Sequence, residues 1–292
     1  MSQAKTTIHL DDEVQLCVEA IGDPADPALL LIGAATWSMD WWEDELCRQL
    51  CARDRLVVRY DHRDTGRSTS YPPGSPGYTS ADLVSDAVAI LDALDIDRAH
   101  VVGLSMGGGI AQRLALEHRD RVATLTLMST SPVDSRIKGL PGPSPEIQAT
   151  FSGGGPEPDW ADRAAVVDYL VESERPYAGP GNFDESRLRN LAGRVFERTN
   201  DMAACMTNHF LLEDGEPAET RLSQLDGLAT LVLHGTADPM FPLAHGRALA
   251  DAISTARLVE LEDVGHQLPP PHTWDLVVDT LIEHTSVGPP QL

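Results

Sequence analysis

Ser105 stands between two glycines in Gly103-Leu104-Ser105-Met106-Gly107, after the apolar run Ala99-His100-Val101-Val102 and before a second apolar stretch from Ile110 to Leu116. A strand that feeds a helix through such a pentad turns sharply at the serine. Glycine two positions to either side removes the side chains that would collide at the corner. Read this way, the pentad is a nucleophile elbow that projects the hydroxyl into a cleft. An ordinary glycine-rich turn is the plainer alternative, and the strand and helix patterns on its two sides favour the elbow. A serine hydroxyl is a weak nucleophile near neutral pH, so the chemistry demands an imidazole to take its proton and a carboxylate to orient that imidazole.

Both partners are expected downstream, in the order Ser, Asp, His. The buried-type run Thr230-Leu231-Val232-Leu233-His234-Gly235 leads into Thr236-Ala237-Asp238-Pro239, which leaves Asp238 at the carboxyl end of a strand. The next run, Ala256 to Leu261, ends in Glu262-Asp263-Val264-Gly265-His266, with His266 on the loop beyond it. Open parallel sheets bind ligands outside the carboxyl ends of their strands, so Ser105, Asp238 and His266 are expected to converge at one edge. Asp226 precedes its strand and belongs at the opposite edge, and Asp263 is too close in sequence to be the usual partner of His266. The chain has ten histidines; His62, His100, His118 and His209 are read as ordinary surface or capping residues. An oxyanion needs backbone N–H donors aimed at it. Met106, directly after the nucleophile, is one candidate, and Ala34, on the loop after Ala28-Leu29-Leu30-Leu31-Ile32, is the other. Gly33 lets the backbone turn there, and the small Ala34 and Ala35 leave room for an acyl group. Trp37, Met39, Trp41 and Trp42 follow. Helix packing explains them as well as contact with a flat apolar ligand does, and Gly33, Trp37 and Trp41 are the candidate substrate-binding residues.

Behind these residues, apolar strands alternate with helical patterns, which implies an α/β fold with a mostly parallel sheet covered on both faces. Leu56 to Tyr60 and Val122 to Met128 read as strands. Ser80 to Leu94 reads as a helix capped by Thr79 or Ser80, with Asp82 favouring its first turn. The alternation breaks at Asp134, where Pro, Gly and Ser dominate to about Pro158, including Gly153-Gly154-Gly155-Pro156. Helical patterns resume at Trp160 to Ser173 and at Phe183 to Leu211. Residues 134–222 therefore read as a helical cap inserted between core segments 1–133 and 223–292. In the loop Asp61-His62-Arg63-Asp64-Thr65-Gly66-Arg67-Ser68, a tight turn with mutually paired charges is preferred to an anion or metal site. Gly107-Gly108-Gly109 lacks the lysine of a phosphate-binding loop, and close helix packing is the better account.

Composition narrows the partners. With 22 basic against 45 acidic side chains, the formal net charge is -23, which argues against nucleic acid and anionic membranes. No stretch is long and apolar enough to span a membrane or serve as a secretory core, so a cytoplasmic protein is expected. Cys17, Cys47, Cys51 and Cys205 form no paired framework; Cys47 and Cys51 share a helix face, and free buried thiols are expected. No metal, nucleotide or redox cofactor is implied.

The pentad, Thr236-Ala237-Asp238-Pro239, Gly265-His266 and the Asp61 to Ser68 loop resemble the serine α/β-hydrolase fold family. Within it, Asp23 to Leu31, Arg59 to Ser68 and Arg98 to Gly107 are similar to the aclacinomycin methylesterases of anthracycline biosynthesis. The likeness runs to about Thr130 and resumes at about Leu225. It fades between, where this family places its cap. One departure is that many relatives carry His-Gly where this chain has Ile32-Gly33. The resemblance implies a Ser-His-Asp hydrolase of a small-molecule carboxylic ester, with the methyl ester of a polycyclic natural product as the specific suggestion. Two other classes stay open at this point. One is an amide-cleaving relative of the proline iminopeptidase type, whose amino-group pocket would draw on Glu172, Glu174, Asp184 or Glu185. The other is a small-molecule receptor on the same fold.

Overall fold

The computed structural model describes residues 4–10, 13–152, 157–213 and 221–286. The Gly153 to Pro156 breaker stretch lies outside them, as do residues 214–220 next to the expected end of the insert. Eight strands form one sheet: β1 (Ala4–His9), β2 (Gln15–Ile21), β3 (Ala28–Ile32), β4 (Leu56–Tyr60), β5 (Ala99–Leu104), β6 (Val122–Met128), β7 (Thr230–Gly235) and β8 (Ala256–Leu261). Their spatial order is β1-β2-β4-β3-β5-β6-β7-β8. The first two pairings, β1 with β2 and β2 with β4, are antiparallel, and all others are parallel. Strands β3, β4, β5 and β7 are buried at every position. That is why they read as continuous apolar runs: helices cover both faces, and no strand face is left for water.

On one face lie α1 (Asp44–Cys51) and α9 (Trp274–Thr285); on the other lie α2 (Ser80–Ala93), α3 (Met106–Glu117) and α8 (Ala244–Ala252). The start of α2 is a reciprocal capping box between Thr79 and Asp82, which satisfies two otherwise orphaned donors. All four cysteines are buried free thiols. Burial pushes Cys47 up to about 12. Among the described residues no helix is long and apolar enough to cross a membrane.

Between β6 and β7 the chain forms α4 (Pro145–Ser152), α5 (Arg163–Glu174), α6 (Glu185–Arg198) and α7 (Met202–Thr207). The helix α4 falls within the breaker-rich stretch, whose prolines and glycines show no helical pattern; the Ser144 hydroxyl accepts the Ile147 amide at its start, and proline is tolerated in a first turn. The single helical pattern Phe183 to Leu211 breaks in two. Asp201 caps α7 by accepting the Ala204 amide, and the Asn200 amide leaves the helix to reach the Gly66 carbonyl.

The Asp61 to Ser68 loop is structural, as expected, but its charges do not pair with one another. Asp61 is fully buried and accepts the amides of Met39 and Arg67 together with Arg198, from the end of α6, at 2.6 and 2.7 Å. Arg63 forms a two-bond pair with Asp86 of α2, and Asp64 accepts from Tyr78 and from Asn208 of the insert. The loop thus fastens the inserted helices to the core. Burial pushes the Asp61 carboxyl above its ordinary value, although Arg198 and the two amides oppose it. Arg198→Met would strand this carboxylate, with an expected loss of about 3 kcal/mol, read as a lower urea midpoint. A loss below about 1 kcal/mol, the size of a surface pair, would refute the clamp.

Candidate active site

The elbow follows from local sterics. Ser105 has φ +54° and ψ -117° at the start of α3, a region that side chains enter only under constraint. A Cβ on Gly103 would come within 2.1 Å of the Gly107 carbonyl oxygen, and one on Gly107 within 2.2 Å of the Ile32 carbonyl oxygen. Neither backbone can yield, so both positions require glycine. The Ser105 amide donates to the Met128 carbonyl at 3.0 Å, and Thr130 donates its hydroxyl to the Ser105 carbonyl at 2.8 Å. Neighbouring β6 thus holds the corner.

His266 arrives from the loop after β8. Its Nε2 lies 2.9 Å from Ser105 Oγ, and its Nδ1 lies 2.9 Å from Asp238 Oδ2. With Asp238 ionised, Nδ1 carries the proton and Nε2 accepts the serine O–H. The carboxylate follows β7 and is buried at 4% exposure; its Oδ1 accepts the amides of Met240 and Phe241 at 2.9 and 2.8 Å. Burial alone would raise this carboxyl. The charge and hydrogen bond of His266 outweigh that, helped by His234 and the Phe241 amide, and hold it below its ordinary value. The imidazole is steadied by its own backbone, since the His266 amide donates to the Tyr177 carbonyl at 2.8 Å. The rings of Tyr177 and Phe241 flank it at 6.0 and 5.4 Å between centroids. Neither ring was foreseen, because each belongs to a segment with no motif of its own.

The rejected carboxylates sit as the sequence suggested. Asp226 precedes β7 and accepts from Ser254. Asp263 occupies a left-handed turn, with its amide on the Thr236 hydroxyl and its carbonyl on Asn182. Of the acids weighed for an amino-group pocket, Glu172 pairs with Arg175, Glu185 with Arg189, and Asp184 caps α6. Burial pushes the remaining Glu174 up to about 7.

The pairing of β3 with β5 sets Ile32 beside Gly103. It therefore brings the loop carrying Gly33 and Ala34 alongside Ser105 and Met106. The sheet order reverses between β3 and β5, which opens a crevice at their carboxyl ends. Trp37 and Trp41 stack at 5.0 Å with 9° between planes, and Trp42 meets Trp37 edge-on at 6.4 Å. At 5%, 6% and 2% exposure they belong to the same buried cluster as Val166, Leu170 and Leu191 of the inserted helices. Their contacts are those of a core that joins the insert to the sheet. Histidine gave the largest departure. His100 is buried within the sheet, where its Nδ1 meets the Thr124 hydroxyl, and His62 and His209 are buried directly against the loop after β3.

The insert reaches four loops of this edge. It hydrogen-bonds the loop after β3 through His209, that after β4 through Arg198, that after β7 through Ser144, and that after β8 through Tyr177, Gly179 and Asn182. Comparison with known proteins agrees with this architecture. The chain is 36% identical over 284 residues to rhodomycin D methylesterase of Streptomyces sp. (strain C5), and 35% identical over 285 residues to that of Streptomyces peucetius. Each match covers 90% of this chain and 93% of the relative. A crystallised hydrolase from Pseudomonas aeruginosa superposes with a TM-score of 0.71 at 25% identity, over 97% of this chain and 98% of its own. The sequence profile of the alpha/beta hydrolase fold matches residues 27–272, and the chain belongs to the α/β-hydrolase fold family.

Proposed function

We propose that this protein cleaves a carboxylic ester through a covalent acyl-enzyme, with Ser105 as nucleophile, His266 as base and Asp238 as the orienting carboxylate. The observation that carries the reading is the relay of two 2.9 Å hydrogen bonds from Ser105 through His266 to a buried Asp238. His266 Nε2 takes the hydroxyl proton as Ser105 Oγ bonds to the ester carbonyl carbon. The resulting oxyanion is held by the amides of Met106 and Ala34. Collapse of the adduct breaks the bond to the alcohol, which leaves with the proton from Nε2. Water then enters by the same route in reverse roles, and the acid departs with Ser105 restored. Protein, substrate and water account for every proton and electron pair.

The inserted helices, residues 134–222, act as a cap over this edge and select the substrate. The methylesterase relatives support a small-molecule ester, and specifically the methyl ester of a polycyclic natural product. Three of the four candidate acids for an amino-group pocket are already engaged, which favours the ester over an aminopeptidase substrate. A panel containing a polycyclic methyl ester, a short p-nitrophenyl ester, the matching anilide and a prolyl anilide tests the reading. The esters are expected to exceed the anilides in kcat/KM by about a hundredfold or more. A preference for the prolyl anilide would overturn it.

A further inference from the structure

Two histidines outside the triad grip the short loop that follows β3. His62 and His209 are 0% and 7% exposed, and their rings meet edge-on with centroids 5.8 Å apart. His62 Nε2 lies 3.1 Å from the Gly33 carbonyl oxygen. A carbonyl only accepts, so Nε2 carries the proton; Nδ1 has no partner among the described residues. His209 is fixed by two contacts of opposite sense. Its Nδ1 accepts the Thr36 amide at 2.9 Å, and its Nε2 donates to the Arg63 carbonyl at 2.9 Å. The Cys205 thiol adds a contact to the Thr36 carbonyl at 3.2 Å. Burial pushes His62 down to about 3, with His209 adding repulsion, and pushes His209 down to about 4. Both rings are therefore neutral at neutral pH, as an accepting Nδ1 on His209 requires.

Thr36 explains why such a grip is needed. It sits at φ +67°, a strained conformation for a β-branched residue that persists only where the surroundings over-determine it. Ala34 lies between the two held peptides, and a backbone donor points wherever its neighbouring peptide planes send it. We infer that His62 and His209 are positioning residues of the oxyanion hole, His62 setting the Gly33 end of the loop and His209 the Thr36 end. The inference rests on the proposed role of the Ala34 amide. It also gives the insert, which supplies His209, a share in the chemistry as well as in substrate selection.

The test uses the full-length protein with a short p-nitrophenyl ester and its thionoester, whose sulfur accepts hydrogen bonds poorly. If the wild type neither hydrolyses the ester nor is labelled at Ser105 by a fluorophosphonate, the parent reading fails and this one with it. In active protein, His209→Gln keeps a donor within reach of the Arg63 carbonyl but loses the acceptor at the Nδ1 position, whereas His209→Asn keeps that acceptor and loses the donor. His209→Gln is expected to lower kcat by about ten- to a hundredfold with KM little changed, as a misdirected oxyanion donor should. His209→Asn should stay within about threefold of wild type, because the contact that directs the loop survives. The preference for ester over thionoester should shrink in His209→Gln and in His62→Leu, and hold in His209→Asn. Equal kcat in the two His209 variants, a loss confined to KM, or equal losses on ester and thionoester would overturn the positioning role while leaving the triad intact. So would failure of both His209 variants to fold, which would make the residue a plain core histidine.

Discussion

Ser105→Ala is expected to abolish covalent labelling by a fluorophosphonate and to lower ester turnover by about four to six decades, the scale of loss when a serine triad is deprived of a member. The hydroxyl is the atom that bonds to the acyl carbon. Nothing else within the described relay replaces it, because His266 Nε2 serves as the base for that hydroxyl and Asp238 is held by His266 Nδ1. His266→Ala should be comparably damaging, since the hydroxyl then keeps its proton. The double variant should cost little more than either single change, because both remove the same step. Rates from stopped-flow or prolonged assays, with circular dichroism to confirm folding, decide it. Additive losses, or a Ser105→Ala protein that keeps most of its activity, would sink the acyl-enzyme reading.

Asp238→Asn is expected to leave the fold intact and reduce turnover by about four decades at neutral pH, as in other triads whose imidazole is held in the wrong tautomer. The geometry dictates the direction of the amide. The position of Oδ1 receives two backbone N–H groups, from Met240 and Phe241, so the amide oxygen must stay there. The NH2 group then faces His266 Nδ1 and donates to it. That forces the imidazole proton onto Nε2, where it points at the Ser105 hydroxyl instead of accepting from it. The wild-type carboxyl, held below its ordinary value, stays ionised across the neutral range, and its orienting effect persists until the pH falls through that lowered value. Measuring kcat and KM separately for Asp238→Asn provides the check. A loss confined to KM would mean that another carboxylate orients His266.

The parts of this site that were legible in the chain are those governed by short-range constraint. A buried strand declares itself by a continuous apolar run, and β3 and β6 were readable to their end residues. The elbow is a clash argument over five residues, so the glycines announce it. Asp238 and His266 were found because each follows a recognisable strand. By the same logic β1 and β2 escaped notice. They lie at the antiparallel edge of the sheet, where β1 mixes lysine, threonine and isoleucine and shows no clear run. The helix α4 was hidden by the prolines and glycines around it.

What the linear chain determined by itself was therefore the α/β alternation, the strained serine and the order of its partners, all of which follow from periodicity or from sterics between near neighbours. Tertiary structure alone decided which charges and rings meet. Asp61 is neutralised by Arg198, 137 residues away, and Thr36 is held by His209, 173 residues away. The physical reason is that a hydrogen bond requires two groups to meet within about 3 Å. No local pattern encodes that meeting for groups on elements the fold brings together only at the end. An isolated buried histidine looks the same in sequence whether it fills a core or directs the amide that receives an oxyanion.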